Sequence, residues 1–133
     1  MHLDPEHAHN LLPRVDPGRV RSGRAVGLRD GALLALVAAG LSAVEIAALQ
    51  ASAITMVDGH IVVSVDRRRI TWSAALPTDL GARLLAWLTE SRIWAVPEPV
   101  FRGPRGPLTP MGICAVLKRY RNRQPAPMRR RRK

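Results

Sequence analysis

A change of hydrophobic period near the middle of the chain restricts its fold more than any other feature of the sequence. Residues 60–65 and 69–75 form two β-branched runs, HIVVSV and RITWSAA, which are separated by Asp66, Arg67 and Arg68. Such runs around a short polar break are typical of a β-hairpin, here with a basic turn. On both sides of them the apolar residues recur at helical spacing. The sequence therefore predicts a mainly α fold with one β-hairpin, an α+β class.

Capping residues, prolines and glycines indicate where the helices begin and end. Asp4 followed by a proline is typical of a helix start, and Ser42 and Glu45 have the S-x-x-E spacing of a capping box. Loops are predicted for residues 13–24 and 97–107, where prolines and glycines cluster. Five helices are predicted, at about residues 5–12, 30–40 and 43–50, from residue 77 onward, and at about residues 109–123.

Charge is distributed very unevenly along the chain. Residues 1–98 hold ten Lys/Arg and ten Asp/Glu, whereas residues 99–133 hold eleven Lys/Arg and no acid, which accounts for the whole net charge of +11. A neutral body with a basic C-terminal third indicates a polyanionic partner, with nucleic acid as the first expectation. The alternative is a solvated tail that has no partner. We predict one domain over residues 1–123, followed by a basic, disordered tail over residues 124–133.

The predicted contacts to DNA phosphates are the positive side chains at the hairpin turn, on the last helix and in the tail. They are Arg67, Arg68, Arg69, Lys118, Arg119, Arg121, Arg123, Arg129, Arg130, Arg131, Arg132 and Lys133. Such contacts hold the DNA backbone and do not depend on base sequence, so no DNA site is predicted.

Other classes of ligand lack their sequence motifs. Three histidines near the N-terminus, His2, His7 and His9, have no cysteine or acid at an accepted metal-ligand spacing, so no metal site is predicted. Because there is no glycine-rich phosphate or dinucleotide loop, neither a cofactor nor a small-molecule substrate is expected. Cys114 is the single cysteine, so an internal disulfide is impossible. With no signal peptide and no apolar span of about 20 residues, the expected location is the cytoplasm, without a membrane partner.

The segment GLSAVEIAAL, residues 40–49, allows a second interpretation. It resembles the turn of helix-turn-helix transcriptional regulators, in which a G-L-S-x-x-E-I-A pattern opens the second helix. Two features disagree with that pattern. Gln50 stands where a leucine is expected, five residues after Glu45, and the segment of the recognition helix soon becomes the strand-like HIVVSV. A helix-turn-helix regulator is kept as an alternative.

The order of the segments resembles the catalytic domain of the tyrosine recombinases, the phage-integrase family. Its first two helices are similar to LDPEHAHNLLPRVDP and GLRDGALLALVAAGL, and the segment with its first catalytic arginine is similar to GLSAVEIAALQASAI. The hairpin that carries its catalytic lysine resembles DGHIVVSVDRRRITWSAALP, and the stretch before its second catalytic block resembles VFRGPRGPLTPMGICAVLKRY. The resemblance covers about residues 3–123, the N-terminal half of such a domain in degenerate form, and it implies a DNA partner.

The departures from the family imply that the chain is not an enzyme. Members attack a DNA phosphate with a tyrosine, while two arginines, a lysine and a histidine stabilise charge and move protons. Ser42 stands at the first arginine and Glu45 at the acid of that segment, so both are vestigial active-site positions. Tyr120 precedes the absent His-x-x-Arg block and the nucleophile position, on the apolar side of its helix. Because a hydroxyl cannot replace a bidentate guanidinium, no catalytic residue is predicted.

Three further hypotheses about function follow from these observations. The first is a catalytically inactive, integrase-derived DNA-binding protein that is linked to DNA recombination or integration. The second is a protein-interaction module that docks on itself or on a full-length recombinase, since half a domain would expose core surface. The third is an unselected remnant of a broken gene. DNA binding and association state distinguish the three.

Overall fold

The chain combines five α-helices with two small antiparallel sheets in the part that this computed structural model describes, residues 4–15, 23–94, 96–103 and 105–122. The helices are α1 (Pro5–Leu11), α2 (Arg24–Ala38), α3 (Ala43–Ala48), α4 (Thr78–Ser91) and α5 (Pro110–Asn122). The strands are β1 (Ile54–Val57), β2 (His60–Arg67), β3 (Ile70–Ala75), β4 (Arg102–Gly103) and β5 (Gly106–Pro107). The α+β class expected from the sequence is confirmed.

Helix α2 forms the centre of the fold. Its residues from Gly27 to Val37 are all buried, and it packs against α1, α4 and α5. A helix that is enclosed on every side loses the one-sided apolar pattern of a surface helix. For this reason its start was predicted near Asp30, whereas the helix begins at Arg24.

The β-branched region forms three strands, one more than the sequence predicted. Strand β2 pairs antiparallel with β1 on one side and with β3 on the other. Asp58 and Gly59 join β1 to β2 with φ angles of 51° and 81°, the left-handed conformation that a two-residue hairpin turn requires. Along β2 the side chains of Ile61, Val63 and Val65 are buried, and this strand packs on α4.

Several boundaries differ from their predicted positions. The β2–β3 turn consists of Arg68 and Arg69 and not of residues 66–68, because pairing continues to Arg67. Helix α3 ends at Ala48, two positions before the predicted Gln50. The loop predicted for residues 97–107 contains the short β4–β5 hairpin.

The helix-turn-helix alternative is contradicted by the fold. After α3 the chain forms a single 3-10 turn, Ala51–Ala53, and then enters β1 and β2. A recognition helix would have to occupy this segment in order to enter a DNA groove. The chain places strands there, so this interpretation of residues 40–49 is wrong.

A buried ion pair within α2 is hydrogen bonded to α5. Arg29 Nε and Nη2 donate to Asp30 Oδ1 at 3.0 and 2.8 Å, and the hydroxyl of Tyr120 donates to Asp30 Oδ2 at 2.7 Å. Arg29 and Asp30 are 8% and 2% exposed. Charged groups persist at such depth when they are paired and hydrogen bonded. The packing role predicted for Tyr120 is confirmed, with a hydrogen bond in addition.

Candidate nucleic-acid interface

The capping box at the start of α3 forms as predicted. Ser42 Oγ accepts a hydrogen bond from the backbone N–H of Glu45 at 3.2 Å, and Glu45 Oε1 accepts one from the N–H of Ser42 at 2.9 Å. These two bonds satisfy amide groups that a helix start leaves without partners. Ser42 therefore acts as a helix cap at the position where the recombinase resemblance places a phosphate-binding arginine.

Arg67 turns back from the hairpin to the same helix start, a contact that the sequence did not reveal. Its Nε donates to Glu45 Oε2 at 2.5 Å and its Nη2 to Glu45 Oε1 at 3.0 Å. The same Nη2 donates to the carbonyl oxygen of Gly40 at 2.9 Å, and the guanidinium lies 4.1 Å from the centre of the Trp72 ring. Of the three arginines predicted to contact DNA in this region, Arg67 has its charge matched inside the fold.

The Glu45–Arg67 pair favours the charged form of both side chains. The hydrogen bonds from Arg67 lower the pKa of Glu45 most strongly, and the contacts to Ser42 lower it further, against the opposing effect of desolvation. The hydrogen bond to Glu45 raises the pKa of Arg67. The stability that the pair contributes is complete above the pKa of an unfolded glutamate and is lost as pH falls through the lowered pKa of Glu45. At neutral pH the contact is a charged, bidentate pair.

Arg68 and Arg69 form the exposed tip of the β2–β3 hairpin. Both have left-handed backbone, with φ of 51° and 69°, and both side chains are exposed. Ile70, which follows them, is 70% exposed. A two-residue turn of this kind normally carries Asn-Gly or Asp-Gly, because other residues are strained there. Two arginines with strained backbone, followed by an isoleucine, therefore form the exposed tip.

Helix α5 carries the second group of predicted contacts. Its apolar side is buried through Ile113, Val116 and Leu117. Lys118 and Arg119 are exposed and Arg121 is half-buried. The basic side of α5 therefore faces solvent while the helix is fixed by its apolar side, as the sequence predicted.

The start of α3 lies between the hairpin and α5. Gly40 accepts the hydrogen bond from Arg67, and together with Ser42 it also lines a cavity of about 270 Å³ whose other wall includes Cys114 and Leu117 of α5. Helices α3 and α5 are packed against each other. The turn end of the hairpin and the basic helix therefore both lie against the start of α3.

Three arginines outside the hairpin and α5, Arg29, Arg83 and Arg102, have partners within the fold. Arg83 donates to the carbonyl oxygens of Val15 and Leu12 at 2.7 and 2.9 Å, and Arg102 pairs with Glu98 at 2.8 Å. Arg105, next to the turn between β4 and β5, is exposed, and it was not among the predicted DNA contacts. Its position between Gly103 and Gly106 was the available signal, since glycines of this kind often flank a turn.

A cleft beside the hairpin, lined in part by carboxylates, is a surface that is unfavourable for a phosphate. The cleft has a volume of about 250 Å³ and is lined by Glu45 and Asp66, with Gln50, Ser52 and Ser64 between them. The charge of Glu45 is matched by Arg67, so Asp66 supplies the negative charge that disfavours a phosphate here. Phosphate contacts are therefore expected at the tip and on α5, and not along this face of the sheet.

The remaining predictions concern the C-terminal tail, metal binding and the membrane. Arg123, Arg129 to Arg132 and Lys133 lie outside the described residues, as does the predicted tail of residues 124–133. Among the residues that are described, no three His, Cys, Asp or Glu side chains are grouped so that they could hold a metal ion. In that same part of the chain, no helix has both the length and the apolar character needed to cross a bilayer.

Comparison with known proteins adds no family to these observations. No protein-family model matches the chain, and no curated protein matches it either. The similarity to tyrosine recombinases therefore rests on the order of segments and on the residues quoted above, and its functional content is a proposal.

Proposed function

We propose that this chain is a catalytically inactive, integrase-derived DNA-binding protein that acts in or on DNA recombination. It holds the phosphate backbone of duplex DNA with the hairpin tip and the basic C-terminal third. The observation that carries the proposal is the strained turn at Arg68 and Arg69, where an Asn-Gly pair would be free of strain. Strain that persists at an exposed site is frequently linked to function. For two exposed arginines, the function that fits is contact with DNA phosphates.

The strained tip gives the first test of the proposal. Replacing Arg68 with asparagine and Arg69 with glycine is expected to raise the free energy of unfolding by about 1–2 kcal/mol, because both new residues tolerate left-handed backbone. The same double variant is expected to bind duplex DNA several-fold more weakly. Denaturant unfolding and fluorescence anisotropy with a labelled duplex measure the two effects.

A matched control separates charge from strain at the tip. Replacing both arginines with alanine removes the same charges and leaves the strained backbone in place, so DNA binding falls without any gain in stability. Equal DNA affinity in the wild type and in both double variants would show that the tip does not contact DNA.

The absence of catalysis is the second part of the proposal. Ser42 is engaged in a helix cap, and the hydroxyl of Tyr120 donates to a buried carboxylate, which supports this part of the proposal. Incubation with nicked suicide duplexes is expected to give no covalent protein–DNA adduct on a denaturing gel. An adduct that disappears in the Tyr120→Phe variant would contradict this.

The experiment that tests the function as a whole is sizing of the purified chain with and without duplex DNA at two salt concentrations. The proposal requires a complex that forms at low salt and dissociates at high salt. A chain that stays monomeric and ignores DNA at both concentrations would favour an unselected remnant.

The same experiment tests a second candidate, a protein-interaction module. Val44 on α3 and Met111 on α5 are 65% and 82% exposed, and the cavity between these helices is largely apolar. Exposed apolar surface of this kind is common where proteins associate. If the module docks on itself, the chain elutes as a dimer without DNA and salt does not dissociate it. If it docks on a full-length recombinase, that partner must be added before a complex forms.

A further inference from the structure

We infer that Arg67 and Glu45 form a clamp that positions the hairpin tip for DNA, and that Arg67 itself contacts no phosphate. The inference rests on the proposed DNA-binding function and assigns a distinct role to one of the three hairpin arginines. Arg68 and Arg69 are the residues that bind, and Arg67 is a positioning residue that acts through them.

The location of Arg67 is the first step of the argument. It is the last residue of β2 and pairs with Ile70, the first residue of β3, so the turn begins directly after it. A constraint on its side chain is transmitted to the tip across a single peptide bond.

The second step is that the guanidinium is fixed from three directions. The carboxylate of Glu45 belongs to α3, the carbonyl of Gly40 follows α2, and the ring of Trp72 belongs to β3. Glu45 is itself fixed by its bond to the N–H of Ser42. The contacts to Glu45 and Gly40 tie the turn end of β2 to the helical body, and the contact with Trp72 joins β3 to the same guanidinium.

The third step concerns the cost of releasing Arg67 to DNA. A phosphate contact through the same Nε and Nη2 would break the bidentate pair and leave the Glu45 carboxylate unmatched. The side chains of Arg67 and Glu45 are 35% and 16% exposed, so the carboxylate is largely shielded from the water that would otherwise solvate it. An arginine that stays in its pair releases no DNA counterion, and it adds nothing to the salt dependence of binding.

The Glu45→Gln variant separates a clamp from a simple charge effect, because the two predict opposite changes in DNA affinity. Glutamine keeps the capping hydrogen bond to Ser42, because either Glu or Gln serves in a capping box, and it removes the charge that holds Arg67. Removing a negative charge from a DNA-binding protein normally strengthens binding through long-range attraction. If Arg67 is a clamp, Glu45→Gln instead weakens binding to duplex DNA several-fold, with an unchanged slope of log affinity against log salt.

Two further variants control for charge and for folding. Asp66→Asn makes the same change in charge next to Arg67 in the sequence. The carboxylate of Asp66 accepts a hydrogen bond from Thr71 and not from an arginine, so this variant is expected to strengthen DNA binding slightly. Arg67→Lys keeps the charge but loses the bidentate geometry, so it should weaken binding as Glu45→Gln does. Thermal unfolding of each variant shows that the protein is folded at the temperature of the binding measurement.

Amide hydrogen exchange tests the clamp without DNA. Glu45→Gln is expected to accelerate exchange at residues 67–70 and to leave α2 and α4 protected, whereas Asp66→Asn leaves the tip unchanged. Tip exchange that is the same in Glu45→Gln and wild type would overturn the clamp. Stronger DNA binding by Glu45→Gln, with a salt slope steeper by about 0.9, would show instead that Arg67 becomes a phosphate contact when it is released. If the wild type binds no duplex, the proposed function fails and the exchange experiment still decides whether the clamp exists.

Discussion

Replacement of Asp30 with alanine is expected to lower the free energy of unfolding by about 3–5 kcal/mol, the cost of leaving one member of a buried ion pair alone. Arg29 would keep a positive charge at 8% exposure without the carboxylate to which its Nε and Nη2 donate. The hydroxyl of Tyr120 would lose its acceptor on α2 as well. Because a domain of this size is stable by only about 5–15 kcal/mol, much of the protein would be unfolded at moderate denaturant concentration.

Urea unfolding followed by circular dichroism measures this loss of stability. Asp66→Ala is the matched control, since it removes an exposed carboxylate that accepts a hydrogen bond from the hydroxyl of Thr71 at 3.3 Å. Tyr120→Phe should lie between the two, at about 1–3 kcal/mol, because it leaves one oxygen of a buried carboxylate without its donor. A stability change for Asp30→Ala as small as that for Asp66→Ala would mean that the ion pair has little effect on the fold.

The same ion pair shows where prediction from sequence reached its limit. Adjacent charged residues such as Arg29 and Asp30 normally indicate a surface, but both are buried, and Asp30 accepts a hydrogen bond from Tyr120, 90 residues later in the chain. Local patterns contain no information about such a partner. The sequence therefore gave no indication that these charges lie buried inside α2, whose start was predicted at about Asp30 itself.

Features that depend on neighbouring residues were predicted well. The Asp4 cap, the Ser42–Glu45 capping box and the apolar side of α5 follow from adjacent residues or from spacings of three or four, and all three are present. Strand β1 was missed although Asp58-Gly59 is a strong local signal for a hairpin turn. The Arg68–Arg69 turn was displaced for the opposite reason, because two arginines are an unusual choice for left-handed backbone.

The candidate site shows the same division between local and distant information. Glu45 was selected for its place in the capping box and Arg67 for its place near a basic turn, each from local sequence. Their pairing across 22 residues depends on the direction of the hairpin relative to α3, which is set by tertiary packing. From sequence alone the three arginines were equivalent. In the fold, Arg67 is paired with Glu45, and Arg68 and Arg69 are exposed.

Raising the salt concentration from about 50 to about 200 mM is expected to weaken duplex binding by two to three decades, if about five cationic groups neutralise phosphates. Arg68 and Arg69 at the tip, with Lys118 and Arg119 on α5, supply exposed candidates among the described residues. Residues 129–133 add the sequence RRRRK. The first 98 residues have balanced charge, so they contribute little long-range attraction apart from the hairpin tip.

Removal of residues 129–133 measures how much of this salt dependence comes from the tail and how much from the folded part. Each phosphate contact that is lost should reduce the salt slope by about 0.9, and affinity should fall alike for all duplex sequences, because backbone contacts carry no base information. A full-length variant with five serines in place of RRRRK controls for chain length and should behave as the truncated protein does. The alanine replacement of Arg68 and Arg69 should change the slope less, because it removes two cations where the tail loses five. Binding that ignores salt, or that survives loss of the tail with the same slope, would place the interface elsewhere and favour a protein partner.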